Sequence, residues 1–110
     1  AKDAVEAVRW FRRAADGGYA LAQSNLGICY ENGEGGLAKD AVEAVRWYRL
    51  AADQGDASGQ AKLGECYASG EGVGRDAAEA RRLLLLAAGQ NEDSDAKQFA
   101  IDALKRHNLR

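Results

Sequence analysis

DAVEAVRWYRLAADQG, residues 40–55, decides the fold, because the same string stands upstream almost unchanged. KDAVEAVRWFRRAADGG at 2–18 and KDAVEAVRWYRLAADQG at 39–55 differ only at Phe11/Tyr48, Arg13/Leu50 and Gly17/Gln54. A more distant copy, RDAAEARRLLLLAA, occupies 75–88. Between the copies a second block recurs, LGICYENGEG at 26–35 and LGECYASGEG at 63–72, so the repeating unit is a pair of elements.

The spacing places one inserted residue. Asp3 to Asp40 is 37 residues and Asp40 to Asp76 is 36, whereas Asp3 to Leu26 and Asp40 to Leu63 are both 23. The extra residue therefore lies in the glycine-rich loop at 33–38, where a surface connection absorbs it without disturbing packed elements. Units of this length cannot bury an apolar face alone, so the period predicts a stacked solenoid. The fold expected is all-α: a right-handed α-α solenoid of stacked antiparallel helix pairs, with about six helices in 110 residues.

The size fits one domain. Hydrophobic residues make up 46% and the net charge is -2, which separates the chain from disordered sequences and from the basic domains that track nucleic-acid backbones. No apolar run approaches the roughly 18 residues that a membrane span needs. Proline is absent and the chain opens on Ala1, so the sequence reads as a trimmed or engineered piece.

Helix starts are marked by Asp-x-x-Glu at Asp3/Glu6, Asp40/Glu43 and Asp76/Glu79. In such a capping box the Asp accepts an amide proton from the first turn while the Glu reaches back to the Asp amide. Acids early and bases late, as with Glu43 and Arg46, suit the helix dipole and i,i+3 pairing on a solvated face. Ala41, Ala44, Val45, Tyr48, Ala51 and Ala52, widened by Trp47 and Leu50, make a band broad enough for two neighbours. Gly18 and Gly55 follow the helix ends as C-terminal caps do. The partner helices span 20–32 and 57–69. Each contains an interior glycine, Gly27 and Gly64, whose helix cost of roughly 1 kcal/mol implies a close crossing, flanked by Leu26 and Tyr30 or Leu63 and Tyr67.

The frame LG-x-x-Y-x-x-G-x-G, followed by an Asp-led helix containing A-x-x-W-Y-x-x-A-A and a closing Gly, resembles the Sel1-like repeat, a relative of the tetratricopeptide repeat, over about residues 2–91. Here the loop lacks the proline common in that family, and Leu83-Leu84 replaces Trp47-Tyr48 in the third copy. The frame divides the single domain into the second helix of a truncated repeat (1–18), two repeats (19–55 and 56–91) and a C-terminal capping helix (92–110). That last helix sets Phe99, Ala100 and Ala103 where Leu63, Gly64 and Tyr67 stand, covering Leu83 to Leu86; a hydrophobic dimer patch on those leucines is the alternative.

The resemblance implies an interaction scaffold that binds a peptide or partner helix on its concave face. The first helices of such pairs line that face, and helical spacing assigns it Ser24, Ile28, Glu31, Asn32, Ala61, Glu65 and Ser69, with Lys97, Ile101 and Lys105 from the last helix. An apolar centre with both charge signs at its edges suits a peptide better than a phosphate chain. The open N-terminal end, through Val5, Val8 and Phe11, is expected to self-associate. Near-identity of two copies also fits an engineered or structural repeat module without a native ligand.

Catalysis has little to stand on. His107 reads as a stray terminal side chain without a placed nucleophile. Cys29 and Cys66 share a frame position on neighbouring helices about 8 to 10 Å apart between axes, beyond disulfide reach, so both are read as free thiols. Two cysteines and a distant His do not make a zinc site. The glycine loops, with no Lys-Ser or Lys-Thr after them, are turns rather than phosphate cradles, and no cofactor is expected. Some Sel1-like proteins resemble a cysteine-rich bacterial group with two cysteines per repeat, for which a beta-lactam-hydrolysing enzyme is the third reading; this chain has one cysteine per repeat.

Overall fold

The computed structural model describes residues 2–90 and 94–109. Among these residues there are six helices and no strand: α1 (Lys2–Asp16), α2 (Ala20–Asn32), α3 (Ala41–Asp53), α4 (Ala57–Ser69), α5 (Ala77–Ala88) and α6 (Ser94–Arg106). Each helix packs on the next, and α4 also touches α2 and α6, giving an all-α solenoid 41 Å long and 27 by 21 Å across.

The helix starts follow the sequence signals with two corrections. Asp40 and Asp76 cap α3 and α5, accepting from the amides of Glu43 and Glu79 at 3.0 and 3.1 Å. The return half of each box is missing. The Asp40 and Asp76 amides instead donate to the carbonyls of Tyr30 and Tyr67 at 2.8 and 2.9 Å, and the Glu43 carboxylate turns outward to Arg46 and the Trp47 indole N–H. A cap amide already paired with the preceding helix leaves the glutamate free to form the local ion pair. Glu79 does the same with Arg82, and that hydrogen bond holds its carboxyl below the usual range. Asp3 lies inside the first turn of α1, so it is not a cap preceding that helix.

A cap that the Asp-x-x-Glu pattern did not reveal sits at Asp56. Its carboxylate accepts from the Gly59 amide at 2.8 Å and from the Ser24 hydroxyl at 2.7 Å, joining α4 to α2. A second link repeats along the same region. Gln54 donates to Gln23 at 2.8 Å, and one repeat later Gln90 donates to Gln60 at 2.7 Å.

Packing follows the glycines. A Cβ on Gly27 would stand 2.6 Å from the Tyr48 ring, and one on Gly64 would stand 2.8 Å from Leu84. The close crossings expected at both positions are therefore present, and Leu26, Leu63, Tyr48 and Leu84 are almost or wholly enclosed beside them. Three apolar clusters run along the stack. The first joins Val8 and Ala15 to Ala22, Leu26, Cys29 and Trp47; the second joins Ala44, Val45 and Tyr48 to Leu63, Cys66 and Leu83. The third gathers Ala61, Leu84 and Ala87 with Ala100 and Ala103.

Helix α6 starts one residue out of the expected register. Counting from the helix starts, Ala100 occupies the place of Leu26 and Leu63, and Ala103 that of Cys29 and Cys66. Leu104 stands where Tyr30 and Tyr67 do, and Ile101 where the two glycines do. The leucine run is also only half covered. Leu83 and Leu84 are buried, while Leu85 and Leu86 are 44% and 46% exposed, since four consecutive helical residues point all round the axis.

Candidate functional site

Helix α4 touches both α2 and α6, and the face these three share holds two adjoining hollows. The first, about 180 Å³, is lined by Glu31 from α2, by Lys62, Glu65, Cys66 and Ser69 from α4, by Phe99 from α6, and by Ala41, Ala44 and Glu71. The second, about 320 Å³, is lined by Leu21, Ser58, Ala61, Lys62, Asp95, Ala96 and Phe99. Lys62 and Phe99 belong to both. The Lys62 ammonium sits 4.6 Å from the centre of the Phe99 ring, a cation–π contact that builds the divider between the hollows.

The carboxylates of the first hollow are held by different means. Glu31 accepts a hydrogen bond from the phenol of Tyr48. Burial, then that bond, raises the phenol above its ordinary pKa, so it stays a donor. Glu65 receives both Arg106 and His107 from the end of α6. This pairing corrects the reading of His107 as a stray terminal side chain. Asn108 turns the chain through the left-handed region at φ 56°, and the Leu109 amide returns to the Leu104 carbonyl at 2.8 Å, which directs His107 onto α4. The Cys66 thiol, which lines the first hollow, is pushed up to about 12 by burial, and Cys29 is also raised by burial; both are free. Such thiols are poor nucleophiles at neutral pH.

Of the residues assigned from helical spacing, Glu31, Glu65 and Ser69 line the first hollow and Ala61 the second. Ser24 is fully enclosed and serves the Asp56 joint. Ile28 is half-buried against the second core cluster. Asn32, Lys97 and Lys105 are exposed and Ile101 is half-buried, and all four lie outside the two hollows. Spacing alone did not supply Lys62, Phe99, Leu21 or Glu71. Lys62 and Phe99 are both the sixth residue of their helices, a signal that appears once α6 is placed in register. At the N-terminal end Val8 is buried and Phe11 packs against the first cluster, so of the expected self-association patch only Val5 is well exposed.

Among the described residues, no group of three or more His, Cys, Asp or Glu side chains could hold a metal ion, and no helix is long and apolar enough to cross a membrane.

The Sel1 repeat pattern matches residues 1–19, 20–56 and 57–92. The chain belongs to the Sel1 repeat family, whose members are generally protein–protein interaction scaffolds. Two crystal structures are similar to it. A protective antigen present in uropathogenic Escherichia coli strains, displaying an SLR fold, matches at 44% identity and a TM-score of 0.76 over 80% of this chain and 19% of its own. A Sel1 repeat protein from Oxalobacter formigenes matches at 31% identity and a TM-score of 0.72 over 90% of this chain and 49% of its own. The chain thus spans about a fifth and about half of those two proteins. No curated protein matches it.

Proposed function

We propose that this chain is a scaffold that binds an extended peptide or a partner helix along the seam of α2, α4 and α6. The observation that carries the reading is the pair of adjoining hollows divided by Lys62 and Phe99. A partner segment crossing the divider places one side chain in each hollow, and the aromatic face supplies an apolar anchor of the kind that dominates binding energy. Glu31 and Glu71 favour a basic or amide-bearing side chain in the first hollow, Glu65 being already paired with Arg106 and His107. Leu21 and Ala96 favour an aliphatic one in the second.

The test is peptide selection against the intact protein, followed by affinity measurements on Phe99→Ala, Lys62→Glu and Glu31→Arg. Loss of about tenfold or more in Phe99→Ala, with helicity retained, supports the seam, since tenfold is about 1.4 kcal/mol. Selected peptides that bind all three variants as well as the parent place the site elsewhere.

A further inference from the structure

We propose that Arg106 and His107 are positioning residues of the α2–α4–α6 seam: by holding Glu65 they fix α6 against α4, and so set the place of Phe99 and the width of the first hollow. This role rests on the seam being the binding site.

The end of α6 is built differently from those of α2 and α4. Those two helices close on Gly33 and Gly70, at φ 70° and 78°, a left-handed turn that glycine makes at little cost and without a side chain. At the same place after α6 stands His107, and the left-handed residue is delayed to Asn108. Asn108 is the one residue other than glycine with a positive φ among those described. The turn is fixed nonetheless: the Asn108 amide donates to the Lys105 carbonyl at 3.1 Å, and Leu109 packs on the third apolar cluster. A glycine has thus been given up for a side chain, and that side chain reaches Glu65.

What α6 lacks elsewhere gives the tie its importance. Helices α2 and α4 are each keyed to the preceding helix by an arginine that donates to a tyrosine hydroxyl, Arg12 to Tyr30 and Arg49 to Tyr67. The corresponding residues of α5 and α6 are Leu85 and Leu104, and the buried side chains of α6 are Ala96, Ala100 and Ala103. Alanines make shallow ridges, which let helices approach but fix their angle and slide weakly. The directional side-chain ties described for α6 run to α4 instead: Phe99 to Lys62, and Arg106 with His107 to the two oxygens of Glu65.

These two ties frame the site. Lys62 and Glu65 are three residues apart on α4, and Phe99 and Arg106 are seven apart on α6, so each pair lies along one helix face. Lys62, Glu65 and Phe99 all line the first hollow, whereas Arg106 and His107 do not. The two cations therefore act on the site through Glu65, as supporting groups that lock the side chains in contact with a ligand.

The test needs no partner. In the free chain the Phe99 ring current should move the Lys62 Cε protons upfield in the NMR spectrum. The Arg106→Ala/His107→Ala protein should lose most of that shift with its helicity and melting temperature nearly unchanged, because pairs as exposed as Arg106 and Glu65 add little stability. Arg106→Glu should lose it as well, and the reversed pair Glu65→Arg/Arg106→Glu should restore it. A peptide selected on the parent protein should bind the double alanine variant as weakly as it binds Phe99→Ala. The proposal is overturned if the double alanine variant keeps the shift or the parent's peptide affinity, or if the reversed pair does not restore the shift. Circular dichroism showing that α6 unfolds in the double variant also overturns it, since the pair would then hold the fold rather than the site. If no peptide is selected at all, the seam reading fails, and the Lys62 shift still decides whether Arg106 and His107 position Phe99.

Discussion

Helices α3 and α5 hold equivalent places in successive repeats and are capped alike, yet the side chains of one make polar contacts with the neighbouring helices and those of the other do not. Tyr48 fills the Gly27 crossing and ties its phenol to Glu31; Leu84 fills the Gly64 crossing with no polar tip. Arg49 donates to the Tyr67 hydroxyl at 2.6 Å and lies 5.5 Å from that ring, as Arg12 does with Tyr30 one repeat earlier. The third copy has Leu85 at that place, left exposed, and α6 offers Leu104 in place of the tyrosine. Both helices are nevertheless buried along the same stripe. The repeat is held by the match between glycine and large side chain, and the hydrogen bonds add local definition to a joint that apolar burial already forms.

The sharpest way to break that contrast is to empty the crossings. Tyr48→Ala should cost about 3 to 5 kcal/mol and Leu84→Ala about 2 to 5, with Tyr48 the larger because its substitution also strips Glu31 of a donor. Urea unfolding that ranks them in reverse would show that the phenol contributes little. Filling the other side is a milder test. Gly27→Ala overpacks an enclosed ring and should lose about 1 to 3 kcal/mol, less roughly 1 regained from helix propensity, whereas Gly64→Ala meets the branching carbon of the enclosed Leu84 at 2.8 Å rather than a ring at 2.6 Å and should fall in the lower part of that range. Equal melting temperatures would mean that both crossings yield alike.

Caps separate the repeats by a smaller margin. Asp76→Ala and Asp40→Ala should each lose about 0.5 to 2 kcal/mol, and Asp56→Ala should lie at the top of that range, because it also leaves the enclosed Ser24 hydroxyl without its acceptor. Three indistinguishable unfolding curves would remove the α2–α4 joint from the account. The least response is expected at the cysteines. Burial keeps the Cys66 thiol protonated up to about 12. Iodoacetamide at pH 8 should therefore leave the native chain unmodified while labelling the urea-unfolded one. By the same shift, stability present below the unfolded thiol's pKa of about 8.5 should decline as pH rises from there toward 12. Rapid native labelling would show that the helices around Cys66 open readily.

Much of this was legible in the sequence because the repeats are copies. The period, the helix starts at Asp40 and Asp76, and the crossings at Gly27 and Gly64 follow from matched positions. Asp56 escaped because it caps α4 without a glutamate three residues on; Gly59 stands there. The register of α6 escaped because it has neither the glycine nor the tyrosine that mark its counterparts, so alanines alone had to be aligned. His107 and Glu65 lie 42 residues apart, and nothing local connects them. In the seam, spacing found the carboxylates of α2 and α4 but missed Lys62 and Phe99, whose pairing depends on the placement of α6.

The inserted residue in the first loop can now be named. Gly35 and Gly72 both press against the second helix of the previous pair, at Ala4 and Ala41, and Leu37 and Val73 both fold onto the apolar clusters, which leaves Gly36 as the extra one. It has φ 86° and a Cβ there would meet nothing within 4 Å. Since the carbonyls of Tyr30 and Tyr67 catch the next aspartate amide in either case, the fold does not measure chain length at this point. Gly36 is accordingly a splice point: an epitope, a tag or a fluorophore attachment loop inserted there would be carried by the scaffold as cargo, with the helices on either side still in phase.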